Sequence, residues 1–212
     1  MAIPYIDGQF VCLPHIKKLN EKQLKYTDIL VYVALRSFDK LDGCFPMYET
    51  IAERARCSRS YVFKAIKRLK QAKLITVRPS AKRTEQCKSP VNEYEFEESY
   101  LFERIHYSIF DAELSLYDKA MILNLRQFFG REYLNPLYTL KDIATELGLT
   151  YKIVNQRVNS LIACGYIERA IATPKNRKPQ KKYKFTEKMD WIWNYSKIEL
   201  PIVKSKVKLI VG

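Results

Sequence analysis

Long hydrophobic runs are missing from this 212-residue sequence, and glycine and histidine are scarce. No apolar stretch approaches the roughly 18 residues that a membrane-spanning helix needs. The first residues lack the basic region and the apolar stretch of a secretion signal, so we expect a cytoplasmic protein without a membrane partner. The six glycines leave little scope for phosphate-cradling loops, and no G-x-x-x-x-G-K-[ST] motif occurs, which argues against a nucleotide-driven motor.

Signatures of catalysis and metal binding are missing as well. The two histidines, His15 and His106, are interpreted as structural. No His-hydrophobic-His motif of the rolling-circle nickase kind occurs, so the sequence predicts no metal site that could assist one of its 15 tyrosines. The five cysteines form no C-x-x-C pair, and Cys12 with His15 lacks a second pair to complete a zinc site. We therefore expect free thiols in a reducing compartment and no enzymatic activity, metal, cofactor or small-molecule ligand.

Positive charge is what the sequence has in excess. It contains 37 lysines and arginines against 23 aspartates and glutamates, a net charge of +14. The excess is concentrated: residues 54–88 hold 12 basic residues and one acid, and residues 152–184 hold nine basic residues and one acid. A domain this basic usually meets a polyanion, nucleic acid before an anionic membrane. Two separate basic windows favour a protein that binds double-stranded DNA at two places.

The chain also repeats itself. Laid on itself at an offset of 92 residues, it aligns without a gap from Phe10 to Val77. The apolar positions agree better than the surface positions, as expected of two copies that keep a core and diverge outside it. Matching pairs are Phe10 and Phe102, Leu13 and Ile105, Ile51 and Ile143, Val62 and Val154, and Leu69 and Leu161. Chance alignment of two unrelated helical domains is the alternative.

Each copy predicts the order of a winged helix: a helix, a short strand, two helices joined by a tight turn, and a hairpin. The helices of the first copy are predicted at 27–39, 48–56 and 58–73, with strands at 45–46, 74–78 and 92–96. Those of the second are predicted at 115–129, at 140–147 and from residue 150, with strands at 137–138, 166–172 and 183–185. The fold class is therefore α+β, mainly α with small β wings, in two tandem winged helix-turn-helix domains.

The predicted domains are 1–98, which includes an N-terminal strand segment, and 99–186. Residues 187–212 form a C-terminal extension, interpreted as an extra strand or docking tail or as a dimerisation element. Ser58, Ser115 and Thr150 are predicted helix N-caps. Gly148 is the predicted left-handed residue of the second helix-turn-helix. Arg56 stands at the equivalent place in the first copy, whose turn is therefore expected to be strained or differently shaped.

The third helix of a winged helix presents base-reading side chains on the face away from the core. In the first copy this face carries Ser60, Phe63, Lys64 and Lys67, flanked by Arg59 and Tyr61. In the second it carries Lys152, Asn155, Gln156 and Asn159, next to Tyr151. The first set is cationic and suits guanine edges or phosphates, whereas the amides of the second suit adenine. A solvated polar face is the alternative for the amide set.

The two predicted wings are basic and are expected on phosphates or in a minor groove. Their residues are Lys82, Arg83 and Lys88 in the first wing and Lys175, Arg177, Lys178, Lys181 and Lys182 in the second.

Three short motifs resemble the winged-helix domain of plasmid and phage replication initiators and replisome organisers. They are Phe45-Pro46 before the second helix, Ile51-Ala52 within it, and Ser58-Arg59 at the start of the third. Met47 and Arg56-Cys57 depart from the pattern, which has a small polar residue and a glycine turn there. The resemblance implies a winged-helix fold and DNA binding. The tandem arrangement is similar to that of initiators of iteron-bearing plasmids, in which one unit often serves dimerisation while both touch DNA.

Three functions remain open. The first is a non-enzymatic, sequence-specific DNA-binding protein of replication-initiator type from a phage, plasmid or other mobile element. It would place two third helices in successive major grooves about 34 Å apart, on an asymmetric site. The second is a transcription regulator on the same fold, and the third is a structural adaptor that uses winged helices for protein contacts. The expected partners are double-stranded DNA and either a second copy of the chain or a replication or transcription protein.

Overall fold

The computed structural model describes residues 10–40, 42–80, 91–129, 139–172 and 180–189. Six α-helices and three two-stranded antiparallel sheets form this part of the chain, so the fold is α+β as predicted. Both halves have the same order of elements, a strand followed by three helices and a hairpin. The first half contains β1 (Phe10–Pro14), α1 (Asp28–Arg36), α2 (Tyr48–Ala55), α3 (Arg59–Gln71), β2 (Ile75–Pro79) and β3 (Asn92–Phe96). The second contains β4 (Phe102–His106), α4 (Leu116–Leu125), α5 (Leu140–Leu147), α6 (Tyr151–Ala163), β5 (Ile167–Ala172) and β6 (Gln180–Phe185), with short 3-10 helices at Tyr107–Phe110 and Glu187–Met189.

The first helix of each half is buried on all sides. Every residue from Asp28 to Leu35 is buried in α1, and every residue from Asp118 to Leu125 is buried in α4. The sequence predicted an α1 with one inward face, but α1 packs against α4 as well as against its own α2 and α3. A helix covered all round lies at the centre of a core. Both helices are also shorter than predicted, ending at Arg36 and Leu125.

The second and third helices of each half begin within one residue of their predicted starts. Ser58 and Thr150 each accept a hydrogen bond from the backbone three residues on, at the start of α3 and α6. Ser115 caps α4 in the same way, so all three predicted caps are confirmed. The predicted strand at 45–46 is wrong. In place of a ladder, a hydrogen bond from the amide of Tyr94 to the carbonyl of Cys44 links the neighbouring backbone to β3.

Arg56 and Gly148 have the same backbone conformation. Gly148 has φ 68° and ψ 36°, and Arg56 has φ 50° and ψ 49°, both left-handed. The turn of the first copy therefore has the same shape as that of the second, and Arg56 is strained in it. This is the first of the two expectations for Arg56. A left-handed conformation costs a residue with a Cβ about 1–2 kcal/mol relative to the right-handed one.

Replacing Arg56 by glycine should therefore stabilise the protein by about 0.5–1 kcal/mol, because glycine adopts this conformation without the steric cost. The Arg56–Asp111 ion pair spans 3.8 Å between two exposed side chains, so its loss subtracts little. Urea unfolding monitored by circular dichroism measures the change. Gly148→Ala is the opposite control, since a Cβ there would overlap the side chain of Asn20. An Arg56→Gly protein less stable than the wild type would contradict the prediction.

The register of β1 with β4 reveals a local two-fold axis. Cys12 lies opposite Arg104, which is its own counterpart 92 residues on. The outer pairs, Phe10 with His106 and Pro14 with Phe102, exchange with one another under the same shift. An antiparallel ladder between two copies has this property only when the axis that relates them passes through its centre. The two halves meet as the subunits of a symmetric dimer do, through the same surface on both.

Each half also docks a segment onto a helix end of the other. The amides of Lys18 and Leu19 donate to the carbonyls of Glu146 and Leu147 at the end of α5, at 2.9 and 2.8 Å. In the opposite direction, the Tyr107 hydroxyl donates to the carbonyl of Ser37 at 3.0 Å. One hydrophobic core cluster includes buried residues of both halves. The predicted division at residues 98 and 99 stays a prediction, and across it the structure has a shared core.

Candidate nucleic-acid interface

The predicted reading face of the first unit is exposed along α3. Ser60, Phe63, Lys64 and Lys67 are all exposed, as is Arg59. The opposite side of α3 buries the predicted stripe of Val62, Ala65, Ile66 and Leu69. The spacing of the apolar residues thus orients the helix, and it turns the hydroxyl, ring and ammonium groups outward together.

A buried carboxylate holds α3 in place. Asp28, fully buried in the first turn of α1, accepts two hydrogen bonds from the Arg68 guanidinium at 2.7 and 2.6 Å. The Tyr61 hydroxyl donates to the same carboxylate at 2.8 Å and contacts Thr27 at 2.5 Å. Hydrogen bonding to Asp28 raises the pKa of Arg68, and burial raises the pKa of Tyr61. Tyr61 was predicted as a DNA contact, but the structure places its hydroxyl among the packed helices, where it positions α3.

Arg59 is exposed but already paired. Its Nε donates to the Glu49 carboxylate on α2, and its guanidinium lies 5.8 Å from the centre of the Tyr48 ring. Hydrogen bonds from its own backbone amide and from Arg59 lower the pKa of Glu49. Both side chains of this ion pair are more than half exposed, so a phosphate can replace Glu49 at little energetic cost.

The second unit presents a face of a different character. Tyr151, Lys152, Gln156 and Asn159 are exposed on α6, and Asn155 is half-buried. The Tyr151 hydroxyl donates to the Asn155 amide oxygen at 3.4 Å, a bond in which the Asn155 amino group takes no part. All five predicted residues of this face are thus on one surface, and the face carries amides where α3 carries a phenyl ring and lysines.

A buried aspartate holds α6 in the same way as Asp28 holds α3. Asp118 lies in the first turn of α4 and is 5% exposed. Its carboxylate accepts hydrogen bonds from the hydroxyls of Ser115 at 2.6 Å and Ser160 at 3.1 Å, and from Arg157 at 3.4 Å. Neither carboxylate is among the residues predicted from the sequence, and Arg68 and Arg157 fall within the two basic windows. An aspartate in the first turn of a buried first helix was the available signal.

Of the two predicted wings, the structure describes the strands. Lys181 is exposed and Lys182 half-buried on β6, where they lie opposite Ile171 and Ala170 of β5. The other predicted wing residues, Lys82, Arg83, Lys88, Lys175, Arg177 and Lys178, lie outside the described residues.

The described part of the chain contains both histidines and four of the five cysteines. His15 Nε2 lies 3.1 Å from the Glu103 carboxylate, and His106 Nδ1 lies 2.6 Å from the Ser108 hydroxyl. Cys12, Cys44, Cys57 and Cys164 are free thiols. Burial raises the pKa of Cys44 to about 12 and that of Cys57 to about 11, so both are neutral at physiological pH. Within the described ranges, no three histidines, cysteines, aspartates or glutamates are grouped so as to hold a metal ion.

Comparison with protein families matches residues 22–75 to a helix-turn-helix domain. The match spans α1, α2 and α3 and thus the first reading face. Comparison with curated proteins finds no match. Among the described helices, none combines the length and apolarity that crossing a bilayer requires. The chain therefore carries a helix-turn-helix domain, and this supports DNA binding.

Proposed function

We propose that this chain is a non-enzymatic, sequence-specific double-stranded DNA-binding protein of replication-initiator type, in which two winged helix-turn-helix units of one chain act as a built-in dimer. The observation that carries the proposal is the β1–β4 register, which relates the halves by a local two-fold axis. Around this axis the chain presents two exposed polar faces, on α3 and on α6. Subunits related in this way read half-sites that are inverted relative to one another.

The two half-sites should differ in sequence because the two faces differ in chemistry. Lys64 and Lys67 of α3 suit guanine N7 and O6 or phosphate oxygens, whereas Gln156 and Asn159 of α6 suit adenine N6 and N7. The proposed target is therefore an inverted pair of unlike half-sites, about one helical turn apart. A single chain fills it, which requires no second copy.

The choice of replication over transcription rests on the three short motifs around α2 and α3, Phe45-Pro46, Ile51-Ala52 and Ser58-Arg59. A plasmid that lacks its own origin and carries the gene with its selected site tests this choice. Autonomous replication supports an initiator. Repression or activation of a reporter without replication indicates a transcription regulator on the same fold.

Selection from a random DNA pool, repeated at two salt concentrations, tests the binding itself. We expect an enriched site of two unlike inverted half-sites and an affinity that falls steeply with salt. Each neutralised phosphate should contribute a slope of about −0.9 to the plot of log K against log salt concentration. Enrichment of a strict palindrome bound by two chains would contradict the built-in dimer, and failure to enrich any sequence would contradict sequence-specific binding.

A further inference from the structure

The first reading face contains one apolar side chain among polar ones. Phe63 of α3 is 54% exposed, and its exposed neighbours on the same face are Ser60, Lys64 and Lys67. Leaving much of a phenyl ring in water forgoes the free energy of burying it. On the core side of α3 the apolar residues are buried, so the outward position of Phe63 is not a consequence of the packing of the helix.

The ring of Phe63 is held at a defined angle. It packs edge-to-face on Tyr48, the first residue of α2, with ring centres 6.0 Å apart and planes at 87°. The Tyr48 hydroxyl in turn accepts a hydrogen bond from Asn92 of β3 at 3.2 Å. Three elements of the unit therefore fix the ring, which reduces the entropy lost when it meets a ligand.

We propose that Phe63 makes the α3 half-site depend on the C5 methyl group of a thymine. This inference rests on the proposed function and names a base that the first unit reads. The thymine methyl is the apolar group that base pairs present in the major groove, and phenylalanine is one of the side chains that contact it. The cations around the ring, Lys64 and Lys67, match the DNA backbone and favour DNA over an apolar protein surface as the partner.

The second unit lacks this feature. The counterpart of Phe63 at the 92-residue offset is Asn155, a half-buried amide engaged by Tyr151. A methyl group brought to Asn155 would meet a polar side chain and would gain little. The methyl dependence therefore belongs to one half-site, which makes it a signature of how the chain is oriented on its target.

Replacing each thymine of the selected site singly by deoxyuridine removes only the methyl group. In fluorescence anisotropy titrations of the wild-type full chain, we expect one position, in one half-site, to lose about fourfold in affinity, the equivalent of burying one methyl group. Phe63→Ala should bind the thymine duplex more weakly and lose nothing further on deoxyuridine substitution at that position. Tyr151→Ala is the matched control, since Tyr151 is 52% exposed on α6, and it should retain the fourfold effect.

Two results overturn the inference alone. One is equal affinity of the wild type for thymine and deoxyuridine at every position, and the other is a deoxyuridine effect that persists in Phe63→Ala. In both cases sequence-selective binding of the wild type would leave the proposed function standing. A wild-type chain that binds no duplex selectively overturns both.

Discussion

Replacing Lys64 and Gln156 together by glutamate should abolish duplex binding and leave the protein folded. Both side chains are exposed on α3 and α6, the two helices proposed to read DNA, where they take no part in the buried packing. Glutamate at each position would face phosphates and the acceptor edges of bases, and such juxtaposition of like charges costs several kcal/mol. We expect affinity for the selected site to fall at least about 100-fold, as measured by fluorescence anisotropy.

A control must reproduce the change in charge away from the reading helices. Lys40→Glu with Tyr100→Glu adds the same negative charge at two exposed positions, one after α1 and one before β4. This variant should bind the site with a loss of less than about tenfold, the part that arises from the long-range field of the protein. Circular dichroism and urea unfolding should show both variants folded. Wild-type DNA affinity in the Lys64→Glu, Gln156→Glu protein would contradict the placement of the DNA contacts on α3 and α6. Loss of DNA binding with the biological function intact would favour the structural adaptor.

Local signals in the sequence predicted the helix-turn-helix units well. Helix α5 begins and ends where predicted, and Ser58 and Thr150 begin α3 and α6, because a capping side chain bonds to the backbone only three residues away. The exposed faces were predicted too, since a helix with a clear apolar stripe has one way to pack. Such features need no knowledge of what lies elsewhere in the chain.

Features that depend on distant contacts were not predicted. The burial of α1 on all sides results from α4, and the inward position of Tyr61 results from Asp28, 33 residues earlier. Counting basic residues could not separate Arg68, which is bound to Asp28, from Lys64, which is exposed. The 92-residue offset in the sequence shows that the chain contains two similar copies. Only the pairing of β1 with β4 shows that a two-fold axis relates them.

The largest loss of stability should follow Asp28→Ala. The variant leaves the Arg68 guanidinium, whose side chain is 19% exposed, and the Tyr61 hydroxyl without their buried partner. Breaking a buried ion pair by removing one member typically costs about 3–5 kcal/mol. We expect a loss of this size in the free energy of unfolding, measured by urea denaturation. DNA affinity should fall as well, because Asp28 positions the reading helix through Arg68 and Tyr61.

A double variant separates the unpaired charge from the lost packing. Asp28→Ala with Arg68→Leu removes both members of the pair, and it should be more stable than Asp28→Ala alone because no buried charge is left unpaired. Strictly additive losses from the two substitutions would contradict this account of Asp28. So would a loss below about 1 kcal/mol in Asp28→Ala, the range of an exposed ion pair.

Asp118→Ala provides the matched comparison in the second half, and it should cost less, about 1–3 kcal/mol. Asp118 occupies the same place in the first turn of α4, but its contact with Arg157 is 3.4 Å where Arg68 approaches Asp28 to 2.6 Å. Its remaining partners are the neutral hydroxyls of Ser115, which is exposed, and Ser160, which is half-buried, so both can bind water instead. The two equivalent aspartates therefore hold α3 mainly by charge and α6 largely by neutral hydrogen bonds. The loss of stability in Asp28→Ala should therefore exceed that in Asp118→Ala, and equal losses would show that the hydrogen bonds common to both sites dominate.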